Sequence, residues 1–423
     1  MSTVQSALTT RAASGGWRAL AACMVIAAIG QGVFVSCFPL WVVPWIAEFH
    51  VSRGLALAGF AAGNLVMGLA SPVVGICIER FSARLVIALG GIVLGIGFVL
   101  GSVALSFWQL VALYASVLPC GAAFAGLIPT QSVAVRAFPH RAGTASGAIT
   151  VGASAGGIIL PPALTALLAT EGWRPVFLLA GAIAVMTIVP CAWALLKGYD
   201  RARESAATAD EGPVTADAAP VRTRELLGRL EFWVPLMAGV PTMMLIGTVM
   251  ANAVAIAVDN GIPLRVAGYL VSAIPAGGVS GSLGLGWLCD RMDYRRVFGI
   301  CAAATVLALL LLGGHVTPLP LAIAFAVMGI VVGGAFPVVG VMVVRSFGAR
   351  VFPRVMGLLM PPMIVAMAIS PVIAGWVRDR TGSYGIVFYC CAALMAFSGA
   401  AIVALGVSPR RPTTSAADLS ARS

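Results

Sequence analysis

Two charged motifs of the same design lie 211 residues apart in this sequence. In each motif a glycine is followed, after three residues, by an acid and an arginine and then by further basic residues. The motif residues are Gly75, Glu79, Arg80 and Arg84 in the first copy, and Gly286, Asp290, Arg291 and Arg295 in the second copy. Carboxylates and guanidinium groups can form ion pairs, and a carboxylate is stabilised at the N-terminus of a helix. The repetition predicts a chain of two related halves.

A second group of candidate residues is uncharged and lies inside long apolar runs. The central portions of these runs have no Asp, Glu, Lys, Arg or His, which argues against a doubly charged solute bound by a buried counter-charge. The polar residues at mid-depth are Gln31, Asn64, Thr150, Ser154, Thr248 and Asn252, of which Thr150 and Ser154 lie among glycines spaced for close helix packing. Each of them either contacts a solute or forms hydrogen bonds between helices. Arg136 and Arg345, at the ends of two runs, are candidates to supply a cation from the rim.

Composition places the chain in a lipid bilayer. Of its 423 residues, 60% are hydrophobic and only 10% are charged, and the mean hydropathy is +1.01. A water-soluble protein of this length could not bury so much apolar surface. The net charge of +11 does not indicate a nucleic-acid partner, because the basic residues cluster in short segments between apolar runs and form no basic face.

Apolar stretches of about 20 residues each predict an all-α membrane protein with twelve transmembrane helices. Proline and glycine within these stretches, such as Pro119, Gly126, Pro361, Pro362 and Pro371, predict kinks. The expected spans are 17–41, 54–77, 85–105, 108–134, 143–168, 175–196, 232–257, 266–288, 297–314, 319–344, 355–377 and 384–406.

The basic residues predict the orientation of these spans. If both termini are cytoplasmic, 21 of the 26 basic residues lie in cytoplasmic segments and 5 lie outside. Such a bias is typical of proteins of the inner (plasma) membrane. The expected organisation is a cytoplasmic tail at 1–16, a six-helix bundle at 17–196, a cytoplasmic linker at 197–231, a second six-helix bundle at 232–406 and a cytoplasmic tail at 407–423.

The duplicated motifs resemble the signature of the major facilitator superfamily. Further matching pairs are Gly126 to Pro129 with Gly334 to Pro337, and Arg136 with Arg345. The stretch from Phe138 to Gly147, with Gly172, Trp173 and Arg174, is similar to the fifth-helix entry of the monocarboxylate carriers and their bacterial relatives. The resemblance covers about residues 17–406.

The resemblance implies two pseudo-symmetric six-helix bundles around a central cavity. It implies that Glu79 faces the start of the eleventh span and Asp290 the start of the fifth, as gating residues. Since spans one and seven line the cavity in this superfamily, it favours Gln31 and Asn252 as solute contacts. The chain lacks the lysine that monocarboxylate carriers place in span one, and the charged pair that they place in span eight.

Three classes of function remain open from the sequence. The favoured class is a secondary active transporter of a small organic anion or monocarboxylate, working by alternating access with proton symport or exchange. The second is an exporter of amphipathic or drug-like compounds, and the third is a membrane sensor or enzyme without transport. No enzymatic motif, metal-ligand spacing or nucleotide-binding loop is present in the sequence, so we expect no catalysis and no cofactor. The expected partners are a small-molecule substrate and possible coupling proton within a lipid bilayer, and the expected state is a monomer.

Overall fold

A computed structural model describes residues 2–209, 223–312 and 317–405. The expected C-terminal tail, 407–423, and residues 210–222 of the expected linker lie outside these ranges. The described helices are α1 (Ser2–Gln31), α2 (Phe38–Phe49), α3 (Arg53–Arg80), α4 (Ala83–Ser102), α5 (Phe107–Tyr114), α6 (Val117–Phe124), α7 (Leu127–Ala137), α8 (Ala142–Glu171), α9 (Trp173–Ala209), α10 (Thr223–Leu227), α11 (Leu230–Asp259), α12 (Leu264–Val271), α13 (Ala273–Arg291), α14 (Tyr294–Leu312), α15 (Pro318–Phe347), α16 (Phe352–Thr381) and α17 (Gly385–Leu405).

Serine residues begin three consecutive helices of the first half. Ser52 accepts a hydrogen bond from the backbone N–H of Leu55 at the start of α3, and Ser82 does the same for Leu85 at the start of α4. Ser106 and Gln109 form a reciprocal capping box at the start of α5. Each cap satisfies backbone donors that the helix leaves unpaired and so defines where the helix begins.

The fold is the all-α arrangement of two six-helix bundles that the sequence predicts. One core of buried side chains comes entirely from the first half, between Ala19 and Ala192, and another comes from the second half, between Leu245 and Ala392. A third core takes residues from both halves, including Ile78 of α3 and Met356 of α16. The two bundles therefore meet through a shared apolar interface.

Eleven helices among the described residues are long and apolar enough to span a membrane. The remaining expected span, 266–288, corresponds to α12 and α13, which pack against α15 and α8. Five glycines and two serines in α13 dilute its hydropathy. Small residues of this kind allow membrane helices to approach closely, so the composition of α13 suits close contact with other helices better than contact with lipid.

The interruptions within spans agree only in part with the proline and glycine pattern. Span four is divided into α5, α6 and α7, with Gly126 directly before α7, whereas Pro119 lies within α6. The first span is interrupted by a π-helical turn at Gly32–Ser36, which the sequence analysis did not predict. By contrast, α16 is assigned as one helix through its three internal prolines.

Two expected connecting segments are partly helical. Helix α1 begins at Ser2, within the expected tail 1–16, and α9 continues to Ala209, beyond the expected boundary at 196. The residues from Ala194 to Ala207 are mostly good helix formers without proline, which accounts for the extension of α9. The domain boundaries themselves remain a prediction.

Candidate functional site

A cavity lies between the two halves and encloses about 480 Å³ of unfilled space, including space open to solvent. Helices α1, α3, α6 and α7 contribute walls from the first half, and α15 and α16 contribute walls from the second. Most of the lining is apolar, with three methionines that can adapt to different shapes. The lining residues are Gln31, Met67, Ser71, Ala122, Ala123, Gly126, Leu127, Ile128, Gln131, Phe336, Met356, Met360 and Ile364.

Two glutamines give this cavity its polar character. Oε1 of Gln31 is buried and has no hydrogen-bond partner, and the same is true of both Oε1 and Nε2 of Gln131. Buried polar atoms are nearly always paired in folded proteins, and these three unpaired atoms lie together on one cavity. Gln31 was predicted as a solute contact and lines the cavity.

Gln131 was missed by the sequence analysis, although it is a glutamine inside an apolar run. The two polar residues beside it in α7 have hydrogen-bond partners. The hydroxyl of Thr130 donates to the carbonyl of Gly126, and that of Ser132 donates to the carbonyl of Ile128, so both are satisfied within α7. A glutamine side chain is too long for this local bond, and Gln131 is left with a fully buried, unpaired carboxamide.

The other predicted polar contacts do not line this cavity. Asn64 donates to the carbonyl of Phe60 in its own helix, and Thr248 is buried in α11. Asn252 donates to the carbonyl of Thr248 at 2.9 Å and accepts from the hydroxyl of Tyr384 at 3.1 Å. The carboxamide of Asn252 thus joins α11 to the residue directly before α17, within the second half, and its role as a solute contact stays a prediction.

Burial raises the pKa of the Tyr384 phenol, against the opposing effect of the nearby Arg378 guanidinium. The phenol is therefore neutral at physiological pH and remains a hydrogen-bond donor to Asn252.

The two motif acids lie at one end of the bundle, which we call the motif face. Asp290 accepts hydrogen bonds from the backbone N–H groups of Gly143 and Thr144, both at 2.8 Å, and from the hydroxyl of Thr144 at 2.6 Å. These groups form the start of α8, where the helix dipole stabilises a negative charge. Asp290 thus ties α13 of the second half to α8 of the first.

Glu79 connects α3 of the first half to α16 of the second half. Its carboxylate pairs with Arg354 in the first turn of α16 at 3.3 Å, and both side chains are largely buried. The sequence analysis did not identify Arg354 as the partner of Glu79. The positions of Glu79 and Arg354 differ by 275 residues, so no local pattern could connect them.

The motif glycines lie where the helices of the two halves touch. A Cβ atom on Gly75 would lie 2.5 Å from the carbonyl oxygen of Pro353, and one on Gly286 would lie 2.4 Å from that of Gly143. Real Cβ contacts are not this short, so only glycine permits the helices of the two halves to come this close at both places.

At the opposite end, two ion pairs each lie within one half. Arg174 pairs with Glu48 at 2.6 Å in the first half, and Arg378 pairs with Asp259 at 2.7 Å in the second. The hydrogen bonds and the ion pair that join the two halves, as described above, therefore lie at the motif face.

Comparison with known proteins agrees with this geometry. The model of the Major Facilitator Superfamily matches residues 20–254 and 239–423. The chain belongs to the major facilitator superfamily. This transporter is 28% identical to human monocarboxylate transporter 11 over 93% of its own length and 84% of the relative. It is 25% identical to monocarboxylate transporter 12-B of Danio rerio, over 88% and 83% of the two chains.

Solved structures share the fold of the transporter. A variant of the E. coli fucose:proton symporter FucP superposes with a TM-score of 0.67 at 14% identity, covering 90% of this chain and 97% of the other. The proton:xylose symporter XylE gives the same TM-score and identity, covering 90% and 95%. The family and the resemblance to the monocarboxylate branch are thus confirmed, and the relatives are named as transporters rather than enzymes.

The two arginines expected at the rim of the transporter's cavity serve other contacts. Arg136 donates to the carbonyls of Ala349 at 3.2 Å and Arg350 at 3.0 Å, across the two halves. Arg345 donates to the carbonyl of Cys289 at 2.7 Å, near the end of α13 in its own half. Neither lines the cavity, because each guanidinium is held by backbone carbonyls that sequence does not reveal.

The four motif arginines occupy different surroundings in the transporter. Arg80 is exposed at the end of α3. Arg84 lies over the ring of Trp193 at 5.2 Å, and Arg291 lies over the ring of Trp287 at 4.2 Å. For Arg295, Nε and Nη2 are buried without a hydrogen-bond partner. Of the motif residues, the acids and the glycines make the described contacts between the halves.

Proposed function

We propose that this chain is a secondary active transporter that moves a small organic acid, of the monocarboxylate class, by alternating access. The cavity between the halves is the solute site, and Gln31 and Gln131 are its polar contacts. The observation that carries this proposal is the set of three unpaired, buried carboxamide atoms on a cavity shared by both bundles. Transport is coupled to protons by symport, or proceeds by exchange.

The contacts at the motif face support alternating access. Asp290 with α8, and Glu79 with Arg354, hold the two halves together at one end of the cavity. We propose that the motif face is cytoplasmic, that both termini are cytoplasmic, and that this closed arrangement is the outward-facing state. The transporter works in the inner membrane as a monomer surrounded by lipid.

A second candidate function is the export of amphipathic compounds. It is favoured by the apolar lining, in which Phe336, Met67, Met356 and Met360 surround the two glutamines. Uptake and export share the same cavity, so the two candidates differ in the class of solute and in the direction of net transport.

Substitution of the glutamines tests the proposed site. The purified transporter is placed in proteoliposomes, and uptake of radiolabelled acetate, butyrate, benzoate and phenylacetate is measured at several concentrations. For an acid that is transported, Gln31→Leu and Gln131→Leu should each raise KM by about three- to tenfold, since each removes a hydrogen bond worth about 1 kcal/mol.

The matched control is Thr150→Val, because the hydroxyl of Thr150 is bonded to the carbonyl of Ser146 within α8 and does not line the cavity. Its KM should equal that of the unsubstituted protein. Kinetically silent changes at both glutamines would show that the solute binds elsewhere. Lack of transport of all four acids, with export of an amphipathic dye, would favour the second candidate.

A further inference from the structure

The carboxamide of Gln131 is an unusual group on the wall of the cavity. The residue is 0% exposed, and its oxygen and its nitrogen both lack a partner. The oxygen is an acceptor and the nitrogen a donor, held side by side in one plane. Exchanging the two atoms leaves the pattern unchanged, so it does not depend on how the amide is oriented.

Among the residues that the structure describes, those lining the cavity beside this carboxamide include no cationic side chain. None of the residues that line the cavity is Lys, Arg or His, and the guanidinium groups of Arg136 and Arg345 are directed to backbone carbonyls instead. An ionised carboxylate in this apolar cavity would be separated from water without a counter-charge, which is strongly unfavourable. A neutral group carries no such penalty.

A neutral carboxyl group matches the pattern of Gln131. Its O–H donates to Oε1 while its carbonyl oxygen accepts from Nε2, which forms a two-point hydrogen bond. A primary amide can do the same, much as glutamine pairs with the donor and acceptor edge of adenine. A sulfonate offers only acceptors and stays ionised, so it leaves Oε1 unpaired. The unpaired Oε1 of Gln31 is a further acceptor for a second N–H or a hydroxyl.

We propose that the cavity selects a neutral group that pairs one donor with one acceptor, namely a protonated carboxylic acid or a primary amide, on an apolar body. This inference rests on the proposed function and specifies the ligand of the same site. It has a consequence for coupling: a carboxylic acid carries its own proton, so one proton and one carboxylate cross together as a neutral molecule. No titrating side chain within the cavity is needed for that coupling.

The proposal predicts how affinity depends on pH. A carboxyl group has a pKa of about 4 in water, so above that pH its neutral fraction falls about tenfold per pH unit. Apparent affinity for an acid should fall by the same factor. Affinity for the corresponding amide should not change, because the amide does not titrate in this range.

The test uses benzoic acid, benzamide and benzenesulfonate, which share one apolar ring. Binding of each to the full-length, purified protein is measured by calorimetry at pH 5.5 and pH 7.5. We expect benzoic acid to bind about 100-fold more tightly at pH 5.5, benzamide to bind equally at both values, and benzenesulfonate not to bind. Gln131→Leu should weaken the first two, and Thr150→Val should not.

Three outcomes would overturn the proposal: sulfonate binding as tight as that of the acid, acid binding that is equal at both pH values, or no binding of either acid or amide. The response of ligand binding to substitution of the cavity glutamines then shows whether the proposed function fails as well. If sulfonate binds and Gln131→Leu abolishes that binding, the cavity is the solute site but its ligand is an anion. If a ligand binds and neither Gln131→Leu nor Gln31→Leu has an effect, the cavity is not the solute site and the proposed function fails at its site.

Discussion

At the scale of single residues, polar side chains inside the apolar helices divide according to whether they have a partner. Gln131 has none, whereas Asn252 is bonded to Thr248 and Tyr384. We interpret the first as a solute contact and the second as part of the helix packing, because a satisfied carboxamide gains little from a ligand.

This distinction predicts that Asn252→Ala and Tyr384→Phe lower the free energy of unfolding by about 1 kcal/mol each and leave KM unchanged. The double variant should be less destabilised than the sum, since both changes remove the same bond. Thermal unfolding in detergent and uptake kinetics measure the two quantities. A rise in KM comparable to that of Gln131→Leu would return Asn252 to the solute site.

The contribution of the bond between Tyr384 and Asn252 should not vary with pH in the physiological range. The pKa of Tyr384 is raised in the folded protein, so its stabilising effect is fully present below the unfolded pKa of about 10 and is lost as the pH rises from there through the folded pKa.

At the scale of helices, the contacts of the two motif acids differ in strength. Asp290 accepts three hydrogen bonds at the start of α8, while Glu79 pairs with Arg354 at 3.3 Å and is also attracted by Arg136 and Arg350. Asp290→Asn removes the charge from a helix N-terminus, an interaction of about 0.3 to 2 kcal/mol. Since about 1.4 kcal/mol changes a population tenfold, it should open the motif face more than Glu79→Gln does.

Opening of the motif face can be followed at Ser146. This residue of α8 is 0% exposed and faces Gly340 of α15 in the other half. In a background without the nine native cysteines, Ser146→Cys should react with a thiol reagent faster when Asp290→Asn is added. The control is Asp293→Asn, which removes a carboxylate from the loop after α13; this carboxylate accepts a hydrogen bond from the backbone N–H of Arg295 in its own half. Equal labelling rates in all variants would show that the acids do not hold this face closed.

The close contact at Gly286 makes a second prediction for the same helix. Gly286→Ala should increase labelling at position 146, because its Cβ would collide with the carbonyl of Gly143. Gly284→Ala is the matched control, since a Cβ there would meet nothing within 4 Å. If both alanine variants label at the rate of the parent, α8 and α13 do not need close contact to keep the face closed.

At the scale of the whole molecule, the distribution of basic residues predicts the topology. With 21 of 26 basic residues on the cytoplasmic side, fusions to alkaline phosphatase after residues 50 and 260 should be active, and a fusion after residue 140 should be inactive. A cytoplasmic reporter at the same positions should give the reverse pattern. Phosphatase activity at 140 would place the motif face outside and refute the proposed orientation.

The sequence by itself determined the fold class and the family. Long apolar stretches, duplicated motifs and the segregation of arginine are properties of composition and spacing, and they require no knowledge of which helices touch. Gln31 was found in the same way, as a polar residue at mid-depth. The π-helical turn after it and the continuous helix through Pro371 were not foreseen, because neighbouring helices decide how such irregularities are accommodated.

Only the tertiary structure decided which polar groups are paired. Arg136 and Arg345 look equivalent in the repeat, yet one is bonded across the halves and the other within its own half. Gln131 stands between Thr130 and Ser132, but only the glutamine lacks a partner. A short hydroxyl is satisfied within its own helix, whereas the partner of a long side chain can lie far away in the sequence, as for Arg136 and Ala349. A buried polar group left without a partner is costly, so only the folded structure shows which groups remain free to bind a ligand.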